Sequence, residues 1–131
     1  GWTHAPFYST AAHNLKDRLP TNYHSATIYS RQGWKVADNW SDLWDGSIVS
    51  TLYDAEIGSD NWTSSYSSNA GWWSGTNSDG TYSGQDCEGW TSSSSSDNGN
   101  FGLHNIKDNA SWVNDGIRGC NNSKDVLCFM Y

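Results

Sequence analysis

Basic residues are scarce. Seven Lys and Arg against fourteen Asp and Glu leave a net charge of −7 over 131 residues. Nucleic-acid and polyanion binding rest on clustered Lys and Arg, and the densest cluster here is Lys16/Arg18, which excludes a phosphate-backbone partner. Proline occurs only at Pro6 and Pro20. No apolar run approaches the ~20 residues of a membrane-spanning helix, so no membrane span is expected. No signal-peptide pattern is visible, and Gly1 in place of Met leads to the expectation of a processed or excised product from which a signal could have been removed. The four histidines, His4, His13, His24 and His104, form no HExxH pattern. A Gly-x-Ser-x-Gly elbow, a phosphate loop and a dinucleotide fingerprint are also missing. Asp54 and Glu56 alternate as a carboxylate pair on one strand face would, but a solvated strand end accounts for them more simply. Nothing in the chain requires an enzyme.

What fills the gap is aromatic and polar. Length predicts one domain spanning 1–131. Apolar residues make up only 35% of the chain, yet nine Trp and seven Tyr are present, so large rings must supply most of the buried area. Three cysteines, Cys87, Cys120 and Cys128, show no zinc-ligand spacing and leave one disulfide plus one thiol. Three reduced thiols in a cytosolic protein are the alternative. Were Cys87 and Cys120 joined, the bond would pin a long polar segment at its base and contribute ~3–4 kcal/mol, with Cys128 unpaired in an apolar run. Sequons at Asn39, Asn61, Asn109 and Asn121, together with the Ser, Asn and Trp richness, fit a secreted or cell-surface protein.

Along the chain, residues 1–8 suit an edge strand, and 10–19 one or two helical turns ended by Pro20. Residues 26–29 and 34–37 form a hairpin around Gln32-Gly33. Asn39 caps a short helix through Leu43 and Trp44, which Gly46 terminates. Residues 48–53 are β-prone and 58–69 loop-like. Asp79-Gly80 offers a tight turn. The Ser/Asp/Asn/Gly tract 92–100 is expected at the surface. The continuous apolar run 126–131 predicts a buried central strand.

Two constellations point to ligands. Trp62, Tyr66, Trp72 and Tyr82 lie among Ser, Thr and Asn, as aromatic platforms for a sugar face would; the alternative use of these rings is to build the core. Trp112-Val113-Asn114-Asp115, upstream of Cys120, resembles the Trp-Asn-Asp strand of calcium-dependent lectins. Asn114 and Asp115 are therefore candidate calcium ligands. The Glu-Pro-Asn or Gln-Pro-Asp loop of those lectins is missing, Val113 breaks the spacing, and an Asn-Asp-Gly turn at 114–116 is the simpler expectation. No other cofactor is implied.

Trp73-x-Gly75-Thr76, Asp79-Gly80-Thr81, Cys87-x-x-Trp90, Cys120 and Val126-Leu127-Cys128-Phe129 together resemble endostatin, and more closely the bacterial secreted endostatin-like domains. Lys16-Asp17-Arg18-Leu19, Gly33-x-x-Val36-Ala37-Asp38-Asn39-Trp40-x-Asp42-Leu43, Asp45-Gly46-Ser47 and residues 54–58 fit the same pattern, so the resemblance covers nearly the whole chain. It implies an α+β, C-type lectin-like fold with a small mixed core and a long loop region. It also implies an inner disulfide, Cys87–Cys120, and an outer one from Cys128 to a cysteine on an N-terminal helix. Gly1-Trp2-Thr3 resembles the segment just after that helix, so the family's first strand and helix are expected to be absent, or supplied by a second polypeptide. The family's basic heparin-binding surface and its zinc site have no counterpart here.

The expectation is an extracellular, non-enzymatic recognition or adhesion module. It would present residues 58–115 on a disulfide-pinned core to a glycan or an extracellular protein. A structural subunit of a filament or matrix, completed in trans through the N-terminus and Cys128, is the alternative. A calcium-dependent lectin is the third.

Overall fold

Rings meet where strands are short. A computed structural model describes residues 1–58 and 71–131. Its strands are β1 (His4–Pro6), β2 (Ile28–Tyr29), β3 (Lys35–Ala37), β4 (Trp72–Trp73), β5 (Asn98–Gly102), β6 (Gly116–Gly119) and β7 (Cys128–Met130). They form the antiparallel pairs β1–β7 and β2–β3 and a three-stranded sheet in the order β4–β5–β6. Among the described residues helical structure is limited to single turns, so the molecule is a small, loop-rich, strand-dominated α+β protein.

The core is largely aromatic. Phe7 is a hub, its ring centroid 5.5 Å from Trp72, 6.1 Å from Trp40 and Phe129, 6.3 Å from Trp44 and 6.5 Å from Trp112. Leu15, Val36, Leu43, Leu52 and Leu127 close around these rings. Two indole tips are matched to backbone oxygens: Trp40 Nε1 donates to Lys16 O at 2.7 Å, and Trp72 Nε1 to Trp112 O at 2.9 Å. A second cluster, Trp73, Phe101 and Leu103 with Trp90, lies on the other face of the three-stranded sheet.

Local chemistry set several elements as expected. The β2–β3 hairpin turns at Gly33, whose φ is +94°. Asn39 Oδ1 accepts from Asp42 N–H at 3.0 Å and from Ser41 Oγ at 2.7 Å, capping the 3-10 turn Ser41–Trp44, and Gly46 follows it with φ +103°. At the Asp79-Gly80 turn, Asn77 N–H reaches Thr81 O at 2.8 Å. The first segment is a strand, β1. Residues 10–19 form only a bridge between Thr10 and His13 and the 3-10 turn Leu15–Asp17.

Three expectations are corrected. Residues 48–53 are not a strand. Ile48, Leu52 and Ala55 are buried while Val49 and Tyr53 are exposed, a spacing of four and three that belongs to a helical turn. Thr51 Oγ1 accepts from Asp54 N–H, and Ala55 N–H donates to Thr51 O, both at 3.0 Å. Asp54 and Glu56 therefore lie on a turn and not on a strand face.

The tract 92–100 does not lie wholly at the surface, because its end enters β5, the central strand of the sheet. Glycine makes this work. A Cβ at Gly99 would come 2.8 Å from both Cys87 Sγ and the Trp73 ring, and one at Gly102 would collide with Trp112 O and approach Trp72 Nε1 to 2.8 Å. The glycines leave room for indoles and a disulfide to lie directly on the strand.

The run 126–131 is not a buried central strand. Leu127 is buried and Phe129 and Tyr131 half-buried, whereas Val126, Cys128 and Met130 are exposed. The strand has one wet face, which a uniformly apolar sequence could not reveal.

Candidate recognition site

The segment 59–70 carries two of the predicted platforms, Trp62 and Tyr66, and the sequon Asn61; these lie outside the described residues. Both of its flanks pass close to Asp125. Asp125 N–H donates to Gly71 O at 3.2 Å. On the other side, a Cβ at Gly58 would lie 2.8 Å from Asp125 Oδ2 and against His104 Nε2, and Gly58 has φ +104°. Only a glycine in the left-handed region lets the chain pass so close to this pair.

His104 is 1% exposed, and its Nε2 is 3.2 Å from Asp125 Oδ2. Burial lowers the imidazole pKa below its ordinary value, against the opposing pull of Asp125, and the Lys124 charge adds to the lowering. The ring is thus held neutral inside the protein at neutral pH. It positions chain and is closed to solvent.

Beside this clamp, Lys124 Nζ lies 4.3 Å from the Phe101 ring centroid and 5.6 Å from that of Trp73, and Arg118 sits over Phe101 at 5.2 Å. Partial burial, with Arg118 nearby, brings the Lys124 pKa down to about 8. The ring faces offset part of that cost by cation–π attraction. Register explains the grouping: Trp73 is opposite Phe101 on the neighbouring strand, and Arg118 is opposite Gly99, so all project to one face.

The disulfide Cys87–Cys120 is formed, with Cα atoms 5.7 Å apart across a separation of 33 residues. In the chain-entropy relation such a loop contributes about 3.7 kcal/mol. It anchors an unusual turn: Cys87, Glu88, Gly89 and Trp90 have φ of 52°, 57°, 70° and 63°. This is one turn of left-handed helix, costing ~1–2 kcal/mol for each non-glycine residue. Trp90 braces it, donating from Nε1 to Ser9 O at 3.1 Å and packing between Tyr8 and Trp73. Only Gly89 hinted at this conformation in the sequence.

The other predicted residues separate. Trp72 is fully buried in the core, which removes it as a ligand platform; its ring is spent on Phe7 and Trp112. Tyr82 is half-buried, its N–H donating to Asn14 Oδ1 at 2.8 Å. Burial and a hydrogen bond with Asp86 hold its phenol pKa above the usual value. Asn114 Oδ1 accepts from Asn100 Nδ2 at 2.7 Å while Asp115 is exposed. Among the described residues no three His, Cys, Asp or Glu side chains converge as a metal site. Asn109 and Asn121 are exposed and Asn39 is half-buried.

Cys128 is an exposed free thiol. It stands among rings and apolar groups that the sequence did not single out. Trp2 (73% exposed), Val126 (60%) and Met130 (47%) are all accessible. Register places His4 opposite Met130 and Pro6 opposite Cys128. Thr3 exchanges both backbone bonds with Tyr131, so alternation puts Trp2, His4 and Pro6 on the outer face beside Val126, Cys128 and Met130. Tyr29, Trp34 and Tyr53 are likewise exposed; adjacency to the Gln32-Gly33 turn was the available signal for Trp34. Among the described residues no helix is long and apolar enough to cross a membrane. The chain matches no protein-family model and no curated protein.

Proposed function

We propose that the protein is an extracellular, non-enzymatic recognition module that presents the segment 59–70 and its neighbours to a glycan or an extracellular protein. The observation that supports this most is the clamp. Asp125 hydrogen-bonds one flank of that segment at Gly71, the other flank passes His104 and Asp125 so closely at Gly58 that a Cβ would not fit, and a disulfide tightens the adjoining sheet. Rigidity at a loop's base lowers the ordering cost of binding at its tip. The disulfide fits an oxidising, secreted or cell-surface setting. The endostatin-like form of the C-type lectin-like fold stands as the architectural part of the proposal, supported by formation of the disulfide that the resemblance implied. Trp62 and Tyr66 are the proposed platforms, together with the half-buried Tyr82.

Glycan-array and surface-capture binding of the wild type against a Trp62→Ala/Tyr66→Ala variant tests this. A loss of tenfold or more at unchanged melting temperature is expected. Retained binding by the double variant refutes the assignment. Loss of binding in chelator would move the reading to a calcium-dependent lectin using Asn114 and Asp115.

A second reading, assembly with another polypeptide through Cys128, is favoured by the exposed thiol on an uncovered apolar strip. Non-reducing against reducing mass analysis of material isolated without reductant tests it, and a monomer with an unmodified thiol opposes it.

A further inference from the structure

We propose that β7 is a strand-addition edge and that its partner is the β7 of a second copy of this chain. This rests on the assembly reading above and names its partner.

The first observation is the backbone. In the β1–β7 pair, Thr3, Ala5 and Phe7 face Tyr131, Phe129 and Leu127 across the seam. The N–H and C=O groups of Cys128 and Met130 therefore point away from β1. Among the described residues no hydrogen bond reaches them from outside the pair. The opposite edge is interrupted: Pro6 has no N–H to give, and Tyr8 O accepts from Arg18 Nε at 2.7 Å. The β7 edge thus offers an uninterrupted donor–acceptor row to an incoming strand.

The second observation is charge. Every Asp, Glu, Lys and Arg in the chain lies between Lys16 and Asp125, although the whole carries −7. Both strands of the pair are free of charged side chains. Two copies of an acidic chain repel one another everywhere except at such a strip, and a second copy brings an equally uncharged, apolar edge. A basic partner would instead be drawn to the acidic surfaces elsewhere.

The symmetry is isologous. An antiparallel self-pair centred on Cys128 sets Val126 opposite Met130 of the second copy and extends two strands to four, β1–β7–β7–β1. The two Cys128 Cα atoms would then lie about 5.5 Å apart, inside the ~4.4–6.8 Å range a disulfide spans. Trp2 and His4 continue the same face on each side.

Sedimentation velocity of the disulfide-intact protein, with Cys128→Ser to remove any covalent link, is expected to show a concentration-dependent dimer. Hydrogen exchange at Cys128 (Ser in the variant) and Met130 should slow in the dimer. Met130→Lys, at an exposed position, is expected to give a monomer with an unchanged melting temperature, and Val49→Lys, exposed elsewhere, to leave the dimer intact. In the wild type, diamide should oxidise the two Cys128 thiols to one intermolecular disulfide, itself being reduced to the hydrazine, and Met130→Lys should suppress this product. A dimer without protection at residues 128 and 130 overturns the proposal. A monomer whose Cys128 is found linked to a different polypeptide also overturns it, while leaving the assembly reading standing. A monomer with an unmodified Cys128 overturns both.

Discussion

Replacing Gly102 by alanine drives a methyl group into the Trp112 carbonyl oxygen, with Trp72 Nε1 only 2.8 Å away. Neither neighbour can yield freely. Trp72 is fully buried and Trp112 is 1% exposed, and the two indoles stack with centroids 6.0 Å apart. Over-packing at such a site costs about 1–3 kcal/mol. Pushing Trp112 O away also breaks its hydrogen bond with Trp72 Nε1 and strands a buried donor, for about 1–3 kcal/mol more. The gain of roughly 0.5–1 kcal/mol from replacing glycine in a strand does not offset this. At about 2.1 cal/mol/K per residue, 131 residues have an unfolding entropy near 0.28 kcal/mol/K, so the net loss of about 1–5.5 kcal/mol lowers Tm by roughly 4–20 °C. Gly119→Ala on β6 is the control: its nearest neighbour at 2.7 Å is the side-chain oxygen of Asn121, which can rotate aside. Thermal melts followed by near-ultraviolet circular dichroism give the comparison. A Gly102→Ala protein melting within about 2 °C of wild type would refute the claim that β5 is central because its glycines admit the indoles.

Three further outcomes are expected. Glu88→Gly removes a side chain from the left-handed turn. Relief of about 1–2 kcal/mol of strain, less about 0.4–1 kcal/mol of added chain entropy, should raise Tm by a few degrees; a lower Tm would mean that the turn is not strained in solution. Lys124 should titrate near pH 8 by NMR of its side chain, and a midpoint close to the ordinary lysine value would show that it does not lie buried over Phe101 and Trp73. Because burial lowers the His104 pKa in the folded state, the unfolded chain binds more protons below about pH 6.5. Stability in urea should therefore be complete above that pH and fall as pH drops through it. His104→Gln should flatten that dependence, and an unaltered slope would contradict the buried neutral imidazole.

Which of these residues mattered was only partly legible in the chain. Asn39, Gly33, Gly46 and Asp79-Gly80 act through their own neighbours in sequence, and their turns and cap followed from local hydrogen bonding and φ preference. Trp72 and Trp73 are adjacent, yet they serve opposite faces of one sheet. Residues 48–55 contain both a β-prone composition and a helical spacing, and packing of Ile48, Leu52 and Ala55 against the core decided for the turn. The clamp joins Gly58, Gly71, His104 and Asp125, four residues scattered over 68 positions, and no local pattern marks it.

The opening expectation that rings would replace aliphatic residues in the core was a matter of composition, and so was the exclusion of a phosphate-backbone partner: both depend on which side chains exist, not on where they lie. Where each ring goes was settled by tertiary structure alone. Gly99 and Gly102 turn a polar, glycine-rich stretch into the central strand because indoles from distant segments fill the space their side chains leave. Likewise, Val126–Tyr131 reads as uniformly apolar, but only pairing with β1 decides that Leu127 enters the core while Cys128 faces water.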